Sequence, residues 1–239
     1  MQAITSLGEN EGKEVLLAAL RDPYFKVRNM ALERLSDFSL NKKELAQVEK
    51  IATSDPSNIV KSAAIWVLSS SKENKRYTAL YEKALTTPSG AVKNAALNAI
   101  AHTNPKRAKD FLEKADPKEL EIDQLAGLTG VIADNKMTQY LPTLMPYLVN
   151  YPFLEEDNPE IAADFKKAYL WAMSLDNKNL VEQMQKAYKD FTQEENGDKA
   201  KQALWKVIDE GIAQKKKLSS TATIKEQIQM LEELKSKIR

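Results

Sequence analysis

The chain has 239 residues, with Lys+Arg 35 against Asp+Glu 34, a formal net charge of +1 and Cys 0. That balance excludes the basic surplus by which a protein neutralises many phosphates, and the missing cysteines exclude disulfides, thiolate metal sites and cysteine nucleophiles. Hydrophobic residues make up 43% and charged residues 29%, Gly 7 and Pro 9 are scarce, and the short, charge-broken apolar runs predict a mostly helical chain without a membrane span.

The opening "MQAITSLGENEGKEVLL" has no basic region followed by a long apolar one, so it supplies no export signal and leaves the compartment unknown. Ala3, Ile4 and Leu7 read as the tail of a helix that begins earlier, an expectation that the chain is a piece of a longer one. From Asp22 runs "DPYFKVRNMALERL", and imperfect copies, "DPSNIVKSAAIWVL" and "TPSGAVKNAALNAI", begin at Asp55 and Thr87. Pro23, Pro56 and Pro88 stand 33 and 32 residues apart, and Val27, Val60 and Val92, Ala31, Ala64 and Ala96, and Leu35, Leu68 and Ile100 keep the same register. Val, Ala and Leu at offsets of four and eight share one helix face, so each phrase predicts an amphipathic helix. Asp22, Asp55 and Thr87 are the expected N-caps, with proline at the first helical position, where its missing N–H costs nothing.

Upstream, Val15, Val48 and Leu80 align with one another, as do Ala19, Ala52 and Ala84, so each phrase is preceded by another helix. The unit is a helix pair. One pair cannot bury both apolar faces, whereas stacked pairs share a continuous core, which predicts an all-α fold, an α-solenoid or α-α superhelix.

The pattern Asp-Pro-x-x-x-Val-Arg/Lys-x-x-Ala resembles the second helix of a HEAT repeat, in a compact variety shorter than the usual period of about 40 to 47 residues. In that family a turn Asp and a helix Arg often form a ladder between neighbouring units. The resemblance implies a ladder through Asp22, Arg28, Asp55, Lys61 and Lys93, although Thr87 replaces the third Asp and Lys replaces two of the Args. The other reading of these cations is a ligand-binding stripe; the near-neutral charge favours the ladder.

Clear repeats cover about 11–102. Asn104-Pro105 starts a short helix through Ala108, Phe111 and Leu112, and Asp116-Pro117 opens a degenerate fourth unit. Divergent helices are expected over 104–213, with apolar faces at Tyr140, Leu141, Leu144 and Leu148, at Ile161, Phe165, Ala168, Tyr169 and Ala172, at Leu180, Val181, Met184, Tyr188 and Phe191, and at Ala203, Leu204, Val207 and Ile208. "NYPFLEEDNPE" at 150–160 reads as a loop whose Glu155, Glu156 and Asp157 lack the alternating ligands and central glycine of a calcium site. A terminal helix over 223–238, with a capping box at Thr223 and Glu226, carries Ile224, Ile228, Leu231, Leu234 and Ile238 on one face. Capping the solenoid is the preferred use of that stripe, and docking onto another domain or protomer is the alternative. The run Lys215, Lys216 and Lys217 is too short to mark nucleic-acid binding. Together these elements form a single domain over 1–239.

No residue set for catalysis, cofactor binding or metal ligation emerges. His102 is the only histidine and has no Gly-x-Ser-x-Gly elbow beside it, a two-histidine zinc site is impossible within the chain, and Gly12-Lys13 lacks the rest of a phosphate loop. Trp66, Trp171 and Trp205 are expected to be packing residues, and an exposed one would be a binding anchor.

Through "LLAALRDPYFKVRNMALERL" and the ending "WKVIDEGIAQKKK...LEELKSKI" the chain resembles the C-terminal HEAT-like region of bacterial zinc aminopeptidases of the aminopeptidase N type. That resemblance implies a non-catalytic scaffold that shapes access to a neighbouring active site or binds protein or peptide, with zinc and the His-Glu-x-x-His motif only in a parent catalytic domain outside this chain. The alternatives are a stand-alone HEAT-like adaptor and a nucleic-acid or DNA glycosylase module on HEAT-like helices. The charge of +1 and the scattered tryptophans argue against the last. Which residues meet the partner is not legible.

Overall fold

In the computed structural model, which describes residues 9–191 and 198–238, each copy of the phrase forms the second helix of a pair. Ala3, Ile4 and Leu7 lie outside the described residues, as does the Phe191 side chain. Helix α1 (Glu9–Ala19) pairs with α2 (Phe25–Leu35), α3 (Lys42–Ser54) with α4 (Asn58–Ser70), and α5 (Thr78–Ala84), entered through a 3-10 turn at Asn74–Tyr77, with α6 (Gly90–Thr103). The second helices make the continuous row, α4 packing on both α2 and α6 while each first helix packs on its own partner.

The helices begin two residues beyond the prolines rather than at them. Asp22 Oδ1 accepts the Tyr24 N–H at 2.8 Å, Asp55 Oδ1 the Ser57 N–H at 2.8 Å and Thr87 Oγ1 the Ser89 N–H at 3.5 Å. These residues therefore close an Asx-type turn that delivers the chain to the helix, with proline fixing φ inside it, instead of capping the helix itself. Threonine makes the longest of the three bonds.

Ala31, Ala64 and Ala96 are buried, as are Leu35, Leu68 and Ile100 and, in the second and third copies, Val60 and Val92. Val27 departs from its column and is 36% exposed, because α2 is the first of the row among the described residues while α4 covers Val92 and is itself covered on both sides. The first helices also depart from the aligned columns. Leu16 in α1 and Leu20 just after it are buried where Val15 is exposed, and Tyr77 and Tyr81 take the place of the half-buried Leu80, whereas α3 buries Leu45, Val48 and Ala52. A shift of one residue turns a helix by about 100°, enough to exchange one column for its neighbour.

The chain, expected to form one domain over 1–239, divides into two compact units, 1–108 and 109–239. The division falls within α7 (Pro105–Leu112). In the second unit Asp116 Oδ1 accepts the Lys118 N–H at 2.9 Å, the same turn again, yet α8 (Ile122–Asp134) starts only after Glu121 and Gln124 form their own capping box. The expected fourth unit therefore keeps the turn and loses the register. A 3-10 turn at Thr138–Tyr140 leads into α9 (Leu141–Leu148), and α10 (Tyr151–Leu154) is a single helical turn inside the stretch read as a loop. Then follow α11 (Pro159–Met173), α12 (Lys178–Phe191), α13 (Asp198–Lys215) and α14 (Ala222–Lys237). Helix α11 is the hub, packing on α8, α9, α10, α12 and α13.

Tyrosines fill this second core, and each buried hydroxyl must find a partner. Tyr140 donates to the Leu112 carbonyl at 2.6 Å, Tyr169 to that of Val207 at 2.6 Å, Tyr188 to that of Val149 at 3.2 Å and Tyr151 to Glu210 Oε2 at 2.7 Å. Gly211 admits the Tyr169 hydroxyl, which a Cβ at that position would meet head-on.

The terminal helix is capped by Thr221, which accepts the Ile224 N–H at 3.2 Å, and not by Thr223 and Glu226. Thr223 instead hydrogen-bonds Asp176 Oδ2 at 3.0 Å, and Glu226 accepts Lys178 Nζ at 2.6 Å. Helix α14 lays its Ile224, Leu231 and Leu234 face on α12 and α13, so the stripe is consumed within its own unit. The basic run is split: α13 extends through Lys215, which is fully buried and donates to the Leu175 carbonyl, leaving Lys216 and Lys217 exposed.

Replacing Leu68, fully buried in α4, by aspartate is expected to destabilise the first unit by on the order of 4 kcal/mol. Hydrogen-exchange protection should fall in α2 and α6 as well as in α4, and an unchanged melt contradicts the shared core. Burial pushes the Lys215 ammonium down to about 8, against the pull of Asp176. A lysine depressed on folding binds fewer protons folded than unfolded, so stability rises with pH above about 8 towards its ordinary value of 10.5, and this gain is lost as pH falls back through 8. Relative to Lys215→Met, the wild type should gain about 1 to 3 kcal/mol between about pH 7 and about pH 10 in denaturant melts.

Candidate functional site

Among the described residues no group of three or more His, Cys, Asp or Glu side chains is placed to hold a metal ion. His102 stands exposed in the last turn of α6, Lys13 of the Gly12-Lys13 pair is bridged to Glu44 Oε1 at 3.2 Å, and Glu155 of the acidic stretch is paired with Lys206 at 3.2 Å.

Of the five residues of the implied ladder, the structure brings Arg28 and Asp55 together across successive units. Arg28 Nε donates to Asp55 Oδ2 at 2.8 Å and Nη2 to Oδ1 at 2.9 Å, a two-bond fork between side chains that are both buried. Its Nη1 donates to the Asp22 and Pro23 carbonyls at 2.9 and 3.0 Å, so one guanidinium ties the turn of its own unit to the turn of the next. The Asp22 carboxylate stays with its own turn. Burial alone would raise the Asp55 carboxyl, but hydrogen bonds from Arg28 and the Ser57 N–H, with the charges of Arg28 and Lys61, outweigh it and hold it below the usual carboxylate range. The Asp55 hydrogen bond and charge in turn raise Arg28 despite its desolvation.

Lys61 does not form the next rung. Thr87 offers no carboxylate, and an ammonium cannot reproduce the planar fork of a guanidinium. Lys93 is half-buried in α6 and has no ion-pair partner among the described residues. The ladder is one rung, which fixes the first two pairs.

Beside that rung runs a groove of about 360 Å3 between α2 and α4. Leu32 and Val67 form its buried floor, Ile59, Ala63 and Trp66 line the α4 side, and Asn29 and Glu33 line the α2 side. Trp66 is 44% exposed and Ile59 52% exposed, while Trp171 is buried in α11 and Trp205 is half-buried in α13 beneath Lys201 and Lys235. The groove opens past Ser36 and Val67 into a second depression of about 370 Å3 at the C-terminal ends of α2 and α4.

Trp66 is thus the exposed tryptophan, and Trp171 packs in its core as expected. Ile59 and Glu33 escaped sequence reasoning, although a signal was present. Helix α4 is apolar on two faces, with Val60, Ala64 and Leu68 on one and Ile59, Ala63 and Trp66 on the other, and the core can use only the first.

Arg28→Met strands a buried carboxylate and is expected to cost about 3 to 5 kcal/mol in denaturant unfolding. The double variant Arg28→Met/Asp55→Asn, which keeps an oxygen for the Ser57 N–H, should be less destabilised than the sum of its single variants, and strict additivity would show that the pair does not couple the two units.

Residues 1–69 match the family model described as HEAT repeats. No curated protein matches the chain. The matched residues run through most of α4 and contain the Arg28–Asp55 rung and the α2–α4 groove. Residues 1–69 thus resemble HEAT repeats, within an all-α fold of the solenoid class that contains no strand among the described residues.

Proposed function

We propose that the first unit is a non-catalytic interaction scaffold that binds a segment of another protein in the α2–α4 groove, with Trp66 as the anchor. The observation that supports this reading is the exposed Trp66 and Ile59 pair, on a face of α4 that the core leaves in solvent, beside the buried Leu32 and Val67. Large apolar side chains left in solvent at a concave site, aromatics above all, carry most of the energy of protein recognition. The HEAT repeat match over residues 1–69 supports the same reading, since such repeats commonly present surfaces to proteins.

The narrower reading makes this scaffold the C-terminal region of a zinc aminopeptidase, where it would restrict access to the catalytic domain. It draws on the resemblance of the repeat phrase and the carboxyl-terminal helix, and its test is the reading frame upstream of the Met1 codon, which must encode His-Glu-x-x-His with a downstream glutamate. A stand-alone adaptor is the counterpart if that frame is closed.

The groove itself is tested by selecting short peptides on the full chain from a random display library and repeating the selection on Trp66→Ala. The expected outcome is a set of peptides retained by the wild type and lost by the variant, with affinity reduced at least about ten-fold and the thermal melt preserved. Retention that is indifferent to Trp66 contradicts the assignment.

A further inference from the structure

The polar lining of the α2–α4 groove has one chemical sense. Glu33 is its only charged member, and it has no ion-pair partner among the described residues. Its Oε1 accepts the Asn29 amide N–H at 2.6 Å, which leaves the second carboxylate oxygen and the Asn29 carbonyl oxygen open to donors. The hydroxyls at the rim have already spent their protons: Ser62 donates to the Ile59 carbonyl at 2.8 Å and Ser36 to the Glu33 carbonyl at 2.6 Å. Apart from the Trp66 indole N–H and the second Asn29 amide N–H, the lining therefore offers acceptors and a negative charge beside an apolar wall. In the adjoining depression Glu73 is already engaged by Arg76 at 3.5 Å and Lys42 at 3.8 Å, while Asp37 and Lys72 balance one another in sign, so the net negative charge lies at the Glu33 end.

From this complementarity, and resting on the groove reading above, we infer that the occupant is a protein segment that sets an aliphatic side chain against Trp66 and Ile59 and a lysine or arginine beside it against Glu33. The aliphatic group fills the space over Leu32 and Val67. The cation takes the free Glu33 oxygen and the face of the indole, two interactions that a neutral or acidic residue cannot make.

The test uses the peptides whose retention depends on Trp66. Those peptides should be enriched in lysine or arginine next to leucine, isoleucine or valine, and Glu33→Gln should bind them about three- to ten-fold more weakly at low salt, with the difference shrinking as salt is added. Replacing the peptide lysine by glutamine should weaken binding to the wild type and leave binding to Glu33→Gln nearly unchanged. Trp66-dependent peptides without a basic residue, or with equal affinity for Glu33→Gln, overturn the inference and leave the groove reading standing. If no peptide depends on Trp66, or if the chain instead pairs with a second copy through Trp66 in sedimentation, both the groove reading and this inference fall.

Discussion

A short helix pair has more apolar surface than it can hide by itself, and the first unit is organised by that shortage. Helix α4 resolves it by packing against α3 in its own pair and against α2 and α6 in the neighbouring ones. A fully buried Leu or Val contributes about 1.5 to 3 kcal/mol, and Val60, Ile65 and Leu68 are all fully buried on this one helix. Apolar burial has no preferred register, so a directional contact is needed to align the pairs. The Arg28 fork supplies it by reaching two backbone carbonyls of one turn and both carboxylate oxygens of the next.

The second unit meets the same requirement differently. Its helices lack the repeated phrase, although Asp116 keeps the turn, and tyrosines replace much of the small aliphatic packing seen in α4 and α6. Each large ring brings a hydroxyl that must be satisfied inside the core, and backbone carbonyls or Glu210 receive most of them. Lys215 follows the same logic at higher cost, its ammonium held against the carbonyl of Leu175 with Asp176 beside it. The last helix then covers α12 and α13, with Asp176 accepting Gln227 Nε2 at 2.6 Å.

Within the first unit, the core and the proposed binding surface take different faces of the same helix. The Val60, Ala64 and Leu68 face is consumed by the core, and the Ile59, Ala63 and Trp66 face is left over. A surface built in this way is set by helix spacing. In the proposed reading, recognition depends on what lines the gap between two helices, here an apolar floor, one indole and one carboxylate.

The sequence by itself determined the helix pairs of the first unit, because a period of 33 and 32 residues keeps Ala31, Ala64 and Ala96 and Leu35, Leu68 and Ile100 in step, and helical spacing converts that into one buried face. The resemblance to a HEAT repeat, not residue type alone, put Arg28 and Asp55 in one expected ladder. Only the tertiary structure decided that the helices start two residues after the prolines, that Val15 and Val27 face solvent, and that Lys61 makes no rung. Those outcomes depend on how far each helix is rotated and on what packs against it, and neither is fixed by residue type. For the same reason the fully buried Lys215 and the exposed Trp66 are inverted relative to their usual hydropathy. Burial belongs to the neighbours a side chain acquires, and these come from distant parts of the chain, as Leu175 does for Lys215.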